Sequence, residues 1–508
     1  MLESDLKDKR IFLILQRDHG VKHGFEIAKK MNNLGVKLST LVFKPSTENF
    51  IDFQKDIKFE YVLKNSDIEN NCENINKENN YNIELLLNDF QINSIWETAF
   101  TLRGVSNSFK KYPFSFEQNL SDQEIENYIV AFGFKIKELI NNFKPDYVIG
   151  YNLGDIRHLL INKITNIKKI PFFFMSDTKI KNMAAFYYDL NCEKSFFLDR
   201  VKKLNNKKIT SKNREKAIKY IEEQRINGIK QPNQINNISL NKSIVNFNNE
   251  KIFIKKLLYY FKYLSLKSSS DNQNISTIIR NYFCEKISIY KNKRIKYDQL
   301  DKIKKFVFFP LQHYPESQLG MINTVHDNQL NNARILARFL PRNLTLAVKN
   351  HPWMYERRTA SLLEKFKNTP NVKLLDHRIP NEFIYKKMDY MISLSGTSIF
   401  EAAILKKPSI QIGSLKMMNK LPNFFQLEKL EDISNIISFI DDTFYKNLNL
   451  KEYDENLINY ISAAYDIGFE FTMYEKDLKN DNKALEYMWS YYLKEIGKIN
   501  KLITNFNY

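Results

Sequence analysis

Lys349, Asn350, His351 and Pro352 stand in a row at the end of a short apolar run, Thr345 to Val348. A lysine ammonium and a histidine N–H side by side suit the oxygens of a phosphate. Pro352 removes a backbone donor and biases His351 towards an extended conformation. Gln312, His313 and Glu316 follow another apolar run, Phe306 to Phe309, closed by Pro310. Ser395, Gly396, Thr397 and Ser398 follow a third, Tyr390 to Leu394, and open a helix. Backbone amides without intrahelical partners and the helix dipole attract an anion there. Glu401, on the first turns of that helix, is placed to accept hydrogen bonds from sugar hydroxyls. Each feature has a plainer reading, as a helix cap or a solvated side chain. Their coincidence at one edge of one sheet favours a ligand.

The elements that position these residues alternate regularly. Runs at 306–309, 345–348, 372–375, 390–394 and 409–412 read as buried strands. Between them lie amphipathic stretches at 327–340, around 363–366, 383–387 and 399–405. Strands alternating with helices through short loops predict a doubly wound parallel sheet, with ligands in the crevice beyond the carboxyl ends of the strands.

The stretches Phe306-Val-Phe-Phe-Pro-Leu-Gln-His-Tyr-Pro-Glu316, Asp327-Asn-Gln329, Leu340-Pro341, Val348-Lys-Asn-His-Pro352 and Gly396-Thr-Ser-Ile-Phe-Glu-Ala402 resemble the bacterial capsule polysaccharide biosynthesis family. That family is similar to the capsule Kdo transferases, glycosyltransferases of the GT-B fold that use nucleotide-activated sugars. Asn350 departs from the pattern, in which an acidic residue often precedes the His-Pro pair. The resemblance implies an α/β chain of two Rossmann-like domains facing a cleft. Gln312, Glu316, Lys349, His351, Ser395 to Ser398 and Glu401 would bind the nucleotide-sugar. The first domain would hold the acceptor.

That first domain opens with strand 11–15, delivering Gln16-Arg-Asp-His-Gly20, then a helix over 25–34 and a strand over 37–43. Strand 147–150 leads to Tyr151-Asn-Leu-Gly-Asp155, and strand 171–175 to Ser176-Asp177. Asp155, Asp18 and Asp177 thus stand at strand ends as general base or nucleophile, ranked in that order, or as helix caps. Arg17, His19 and Arg103 would meet the acceptor. Trp96 and Arg103, seven residues apart, share a face of a predicted helix.

The 508 residues allow two or three domains with a large core. The expected divisions are 1–200, an N-terminal Rossmann-like acceptor domain; 201–300, a basic, mainly helical linker or insertion; 301–465, the nucleotide-sugar-binding domain; and 466–508, helices packing back on the first domain. Residues 49–90 are polar and Asn-rich and read as loops around short helices. The net charge is +19, and the segment 200–305, with 26 Lys+Arg against 8 Asp+Glu, carries +18 of it. With no helix-turn-helix, zinc-finger or ribonucleoprotein signature, the charge does not indicate nucleic acid. Within the segment, Lys251, Lys255 and Lys262 line one stripe of an apolar helix over 251–267, which reads either as lying on an anionic membrane surface or as packed between domains.

Three cysteines without metal-ligand spacing argue against a disulfide framework or a cysteine zinc site and fit a reducing, cytoplasmic setting, with peripheral membrane attachment open. No DxD metal-diphosphate motif is visible, so no metal or cofactor is expected. Together these readings predict a metal-independent glycosyltransferase acting from a nucleotide-sugar, CMP-Kdo or a related CMP-sugar before a UDP-sugar. The acceptor would be a capsular or other cell-surface polysaccharide or its lipid-linked precursor. A GT-B-fold sugar epimerase and a non-catalytic scaffold of polysaccharide assembly are the alternatives.

Overall fold

In the computed structural model the described residues are 3–15, 18–99, 121–151, 154–227, 251, 253–255, 257–258, 261, 275–313, 322–355, 358–394, 396–476 and 478–506. Arg17, Arg103, Lys262, Glu316 and Ser395 lie outside them.

The N-terminal sheet is built from β1 (Arg10–Leu15), β2 (Lys37–Val42), β3 (Tyr61–Lys64), β4 (Tyr147–Gly150), β5 (Phe172–Asp177) and β6 (Met183–Tyr187). The second sheet comprises β7 (Phe306–Pro310), β8 (Thr345–Lys349), β9 (Val372–Leu375), β10 (Tyr390–Ser393), β11 (Ser409–Gln411) and β12 (Phe424–Gln426). A last strand, β13 (Phe469–Glu470), returns to the first sheet and pairs antiparallel with β6, Phe469 against Ala184. The central strands are near-continuous apolar runs because helices cover both faces of a parallel sheet. β1, for instance, is buried from Ile11 to Leu15.

Strand order in the second sheet is β12-β11-β10-β7-β8-β9, parallel throughout. Counted from β7 this is the 3-2-1-4-5-6 order of dinucleotide-binding folds, with its switch point between β7 and β10. The first sheet runs β13-β6-β5-β4-β1-β2-β3, the same order around β1 and β4, with antiparallel β6 and β13 added at one edge. The chain therefore has the predicted α/β fold of two Rossmann-like domains.

The helix Leu450–Ile467 joins the domains. Tyr460 packs edge-on against Phe197 of the first domain and lies beside Phe400 of the second. Its hydroxyl reaches the Thr178 carbonyl after β5 (3.5 Å) and the Met417 carbonyl after β11 (3.1 Å). Lys416 N–H donates to the Asn191 carbonyl at 2.7 Å. Loops beyond the carboxyl ends of both sheets thus meet. Arg214 pairs with Glu455, and Arg225 with Asp454 and the Ile404 carbonyl. The last helix, Asn482–Phe506, lies against the first domain: Trp489 donates to Glu3, Tyr188 to Glu495 and Tyr147 to Asn500.

Candidate nucleotide-sugar site

The polar residues of the second domain gather where β7, β8 and β10 end. Gln312, two residues past β7, donates from Nε2 to Ser393 Oγ on β10 at 3.2 Å. Its backbone is tied to Gln329 and to Arg358, whose NH2 donates to the Gln312 carbonyl at 2.6 Å. Gly396 opens the helix Thr397–Ile404 with φ +118°, a conformation that only glycine adopts without strain. A Cβ there would stand 3.6 Å from Gln312 Oε1, so backbone conformation rather than crowding requires glycine. Thr397 and Ser398 follow in the first turn, half-buried, with their amides at the positive end of the helix.

His351 lies just past β8, its ring 5.8 Å from that of His313. Burial, reinforced by His313, Arg358 and Lys349, pushes its pKa down to about 3. Burial thus favours the neutral ring, which carries one N–H able to donate, as the sequence reading expected of this residue.

Arg358 escaped the sequence reading. It is fully buried behind His351, and its guanidinium donates to Asn350 Oδ1 and to the Gln312 carbonyl, both at 2.6 Å. Burial lowers its pKa to about 9, so it remains cationic at neutral pH. At Asn350, where an acidic residue is common in the family resembled, this chain supplies a hydrogen bond without a negative charge. No local pattern marks Arg358, because its place depends on the fold bringing the turn ahead of the helix Ala360–Lys367 against the segments that follow β7 and β8. The Asn350 departure was the one signal that pointed towards it.

Lys349 and Glu401 face inward rather than towards the crevice. Lys349 Nζ donates to the Ile379 carbonyl and to Asn381 Oδ1, both at 2.5 Å. Asn381 Nδ2 donates to Tyr385 Oη (3.2 Å), which donates to Glu401 at 2.6 Å. Burial lowers Lys349 to about 8 despite Glu401 and Asp376 nearby, and raises the Glu401 carboxyl against the opposing pull of Tyr385 and Lys349. This buried chain ties the end of β8 to the helix that Gly396 opens. Glu401→Leu should cost about 2–3 kcal/mol by leaving the Tyr385 hydroxyl buried without an acceptor. Glu401→Gln keeps an acceptor and should cost less than half as much. Urea midpoints check this, and equal losses would show that charge, not the hydrogen bond, carries the effect.

In the first domain, Asp18 and His19 begin the helix Asp18–Asn33, which starts within three residues of β1. The sequence reading placed them in a loop and began the helix at 25. Gly24 belongs to that helix, where a Cβ would stand 2.6 Å from the Tyr151 ring. His23, also overlooked, is buried on the same helix, 5.7 Å from the Tyr151 ring and 3.3 Å from Tyr492 Oη. It lies within one helical turn of His19, the signal that was available.

Asp155 caps the helix Ile156–Ile167 by accepting from the Arg157 N–H. Its carboxylate is buried, with Arg157 Nε at 2.9 and 3.0 Å from its oxygens and His158 Nδ1 at 3.8 Å. Burial favours the protonated acid, but Arg157 and His158 outweigh it and hold the carboxyl well below the usual range. Asp177 ends β5, half-exposed, with Lys179 Nζ at 2.6 Å. The structure brings Gln312, His351, Gly396, Thr397 and Ser398 together, adds Arg358, and sets Lys349 and Glu401 behind them.

No curated protein matches the chain. Among solved structures it is similar to UDP-GlcNAc 2-epimerase from Neisseria meningitidis bound to UDP-GlcNAc, at 14% identity over 90% of this chain and 98% of that one, with a TM-score of 0.26. It is similar to the Methanocaldococcus jannaschii UDP-GlcNAc 2-epimerase in complex with UDP-GlcNAc and UDP, at 12% identity over 90% and 98%, with a TM-score of 0.27. It is also similar to Thermosulfurimonas dismutans KpsC, a beta Kdo 2,7 transferase, at 10% identity over 68% and 87%, with a TM-score of 0.28. A family model described as capsule polysaccharide biosynthesis protein matches residues 209–415, which include the basic segment from 209 onwards and all of the second domain's site. Over those residues the chain matches the capsule polysaccharide biosynthesis family, the one its motifs resemble.

Proposed function

We propose that this chain is a glycosyltransferase that moves a sugar from a nucleotide donor to a capsular or other cell-surface polysaccharide, or to its lipid-linked precursor. The observation that carries this reading is the convergence of Arg358, His351 and the helix opened by Gly396 at the β7–β10 switch point, within the residues that match the capsule family. A donor's diphosphate or monophosphate placed there meets a buried cation, an imidazole N–H and first-turn amides. When the glycosidic bond to the nucleotide breaks, negative charge grows on the departing phosphate oxygen. Donors already oriented towards that oxygen stabilise the transition state more than the ground state. No step of this reading requires a metal.

The acceptor hydroxyl would be activated from the first domain, across the junction where Thr178 and Met417 are bridged by Tyr460. Asp18 takes precedence over Asp155 in this reading, because a carboxylate held by Arg157 is a poor proton acceptor. Arg17, His19 and Arg103 are proposed beside the acceptor. A CMP-sugar such as CMP-Kdo is the proposed donor and a UDP-sugar the second choice, on the resemblance of the motifs to those of the capsule Kdo transferases.

Titrating the purified protein with CMP and UDP, then following nucleotide release from the corresponding sugars, tests the proposal. We expect micromolar binding of one nucleotide and donor turnover. Absence of binding to both would overturn the nucleotide-sugar reading, and tight binding without turnover would indicate a scaffold.

A further inference from the structure

The helix Ile275–Asn292 is apolar on two opposite sides. One side is packed: Ile278, Ser288 and Ile289 are buried, and Asn292 donates to the Tyr355 and Arg358 carbonyls at 2.5 and 2.8 Å. The other faces solvent with Ile279, Phe283, Ile287 and Tyr290, spaced four, four and three residues apart and 40%, 58%, 53% and 58% exposed. That spacing makes one continuous stripe along the helix. A second helical piece, within 251–261, meets this helix through a stacked Phe253–Tyr282 pair at 4.4 Å. It too turns apolar side chains outward: Ile254, Leu258 and Phe261 are 53%, 63% and 55% exposed. Its described lysines, Lys251 and Lys255, are exposed beside them.

The charge on these two helical pieces is predominantly positive, Glu285 being the one acid among their described residues. Lys291, Lys293, Arg294 and Lys296 are exposed at the carboxyl end of the longer helix, and Lys286 lies over the Tyr282 ring. Arg294 lies over the Tyr290 ring. Both pieces lie in the segment that holds nearly all the chain's net positive charge. No helix among the described residues is long and apolar enough to cross a membrane. Exposed aromatic and aliphatic side chains rimmed by lysine and arginine match a helix lying in the headgroup region of an anionic bilayer, with apolar groups in the acyl boundary and cations at the phosphates.

We propose that the Ile279–Phe283–Ile287–Tyr290 stripe, with Ile254, Leu258 and Phe261, docks the protein flat on an anionic lipid surface. The proposal rests on charge and exposure and stands apart from the choice of sugar donor. It is linked to the site by Asn292, which holds the Arg358 backbone. Docking would therefore fix the distance and tilt of the anion site relative to the bilayer, where a lipid-linked acceptor would be presented.

The test is co-sedimentation of the full chain with phosphatidylglycerol vesicles and with neutral phosphatidylcholine vesicles. Binding to the anionic vesicles should fall steeply between 50 and 500 mM salt and be at least tenfold weaker on the neutral ones. Phe283→Ser with Ile287→Ser should lower binding at least tenfold. Lys291→Gln with Lys293→Gln should lower it roughly fivefold per charge. Nucleotide titration of the same variants should be unchanged, which separates failure of docking from failure of the sugar-transfer reading. Wild-type protein that stays in the supernatant at low salt would overturn the proposal. So would stripe variants that bind as well as wild type, or a wild-type dimer that the stripe variants convert to monomer.

Discussion

Sugar transfer by the His351→Ala protein is expected to fall by about 10²–10³-fold, the usual effect of removing one donor aimed at a developing oxyanion. His351 is half-buried and lies past the last residue of β8, so alanine leaves the sheet ladder and the core intact. The imidazole is neutral above pH 3 in the free protein, its charged form disfavoured by burial and by the neighbouring cations. A bound phosphate reverses part of that balance and raises the pKa, because an anion favours the charged ring. Linkage then requires donor binding to tighten as pH falls towards the bound-state value. The alanine variant should lose that dependence as well as the rate. His351→Gln, which keeps an N–H donor but cannot titrate, should recover part of the rate and none of the pH dependence. A well-folded alanine variant with wild-type turnover would remove His351 from the site.

Asp155→Asn is expected to lower stability by about 3–5 kcal/mol, since it leaves Arg157 buried without its counter-charge. Arg157 also lies 4.2 Å from the Phe43 ring centroid, and His158 stacks on the same ring, so the strain would be felt in the core. Because the Asp155 carboxyl is depressed in the fold, its contribution is complete above the unfolded value of about 3.9 and fades as pH falls below it. The difference between wild type and Asp155→Asn in denaturant midpoint should therefore be constant from pH 6 to 8 and shrink below pH 4. Adding Arg157→Met, which keeps a stem to pack on Phe43, should restore at least half of the loss. A stable Asp155→Asn protein that has lost only turnover would instead return Asp155 to the chemistry and displace Asp18.

The fold was legible where burial is two-sided. β1, β4, β5, β7, β8 and β10 carry continuous apolar runs, as strands of a parallel sheet covered by helices on both faces do. β3 was missed because its residues are partly exposed at a sheet edge amid Asn-rich sequence. β6 is a short buried apolar run that turns back on β5 in an antiparallel pair and was overlooked beside it. β13 is two residues long and pairs with β6 from nearly three hundred residues away, and β12 is three residues long, so these two leave no local pattern. In the site, strand ends could be found but not the direction of side chains. Lys349 and Glu401 were placed at the correct edge, yet the Asn381–Tyr385 pair draws both inward. Arg358 stands beyond any strand end, and only its contacts with Asn350 and Gln312 reveal it.

The return of the chain end to the first sheet sets a timetable for biosynthesis. β13 pairs with β6, and the helix Asn482–Phe506 covers His23 and Tyr147 through Tyr492 and Asn500. About 280 residues separate the two strands, so at ribosomal rates of about 5–20 residues per second the first domain waits roughly 15–60 s for its last pieces. Through that interval the β6 edge and the apolar floor beneath the final helix stay uncovered and open to chaperones. A nascent chain arrested before residue 469 would be a strong chaperone client, whereas one released whole would close its first domain only after the second had already formed.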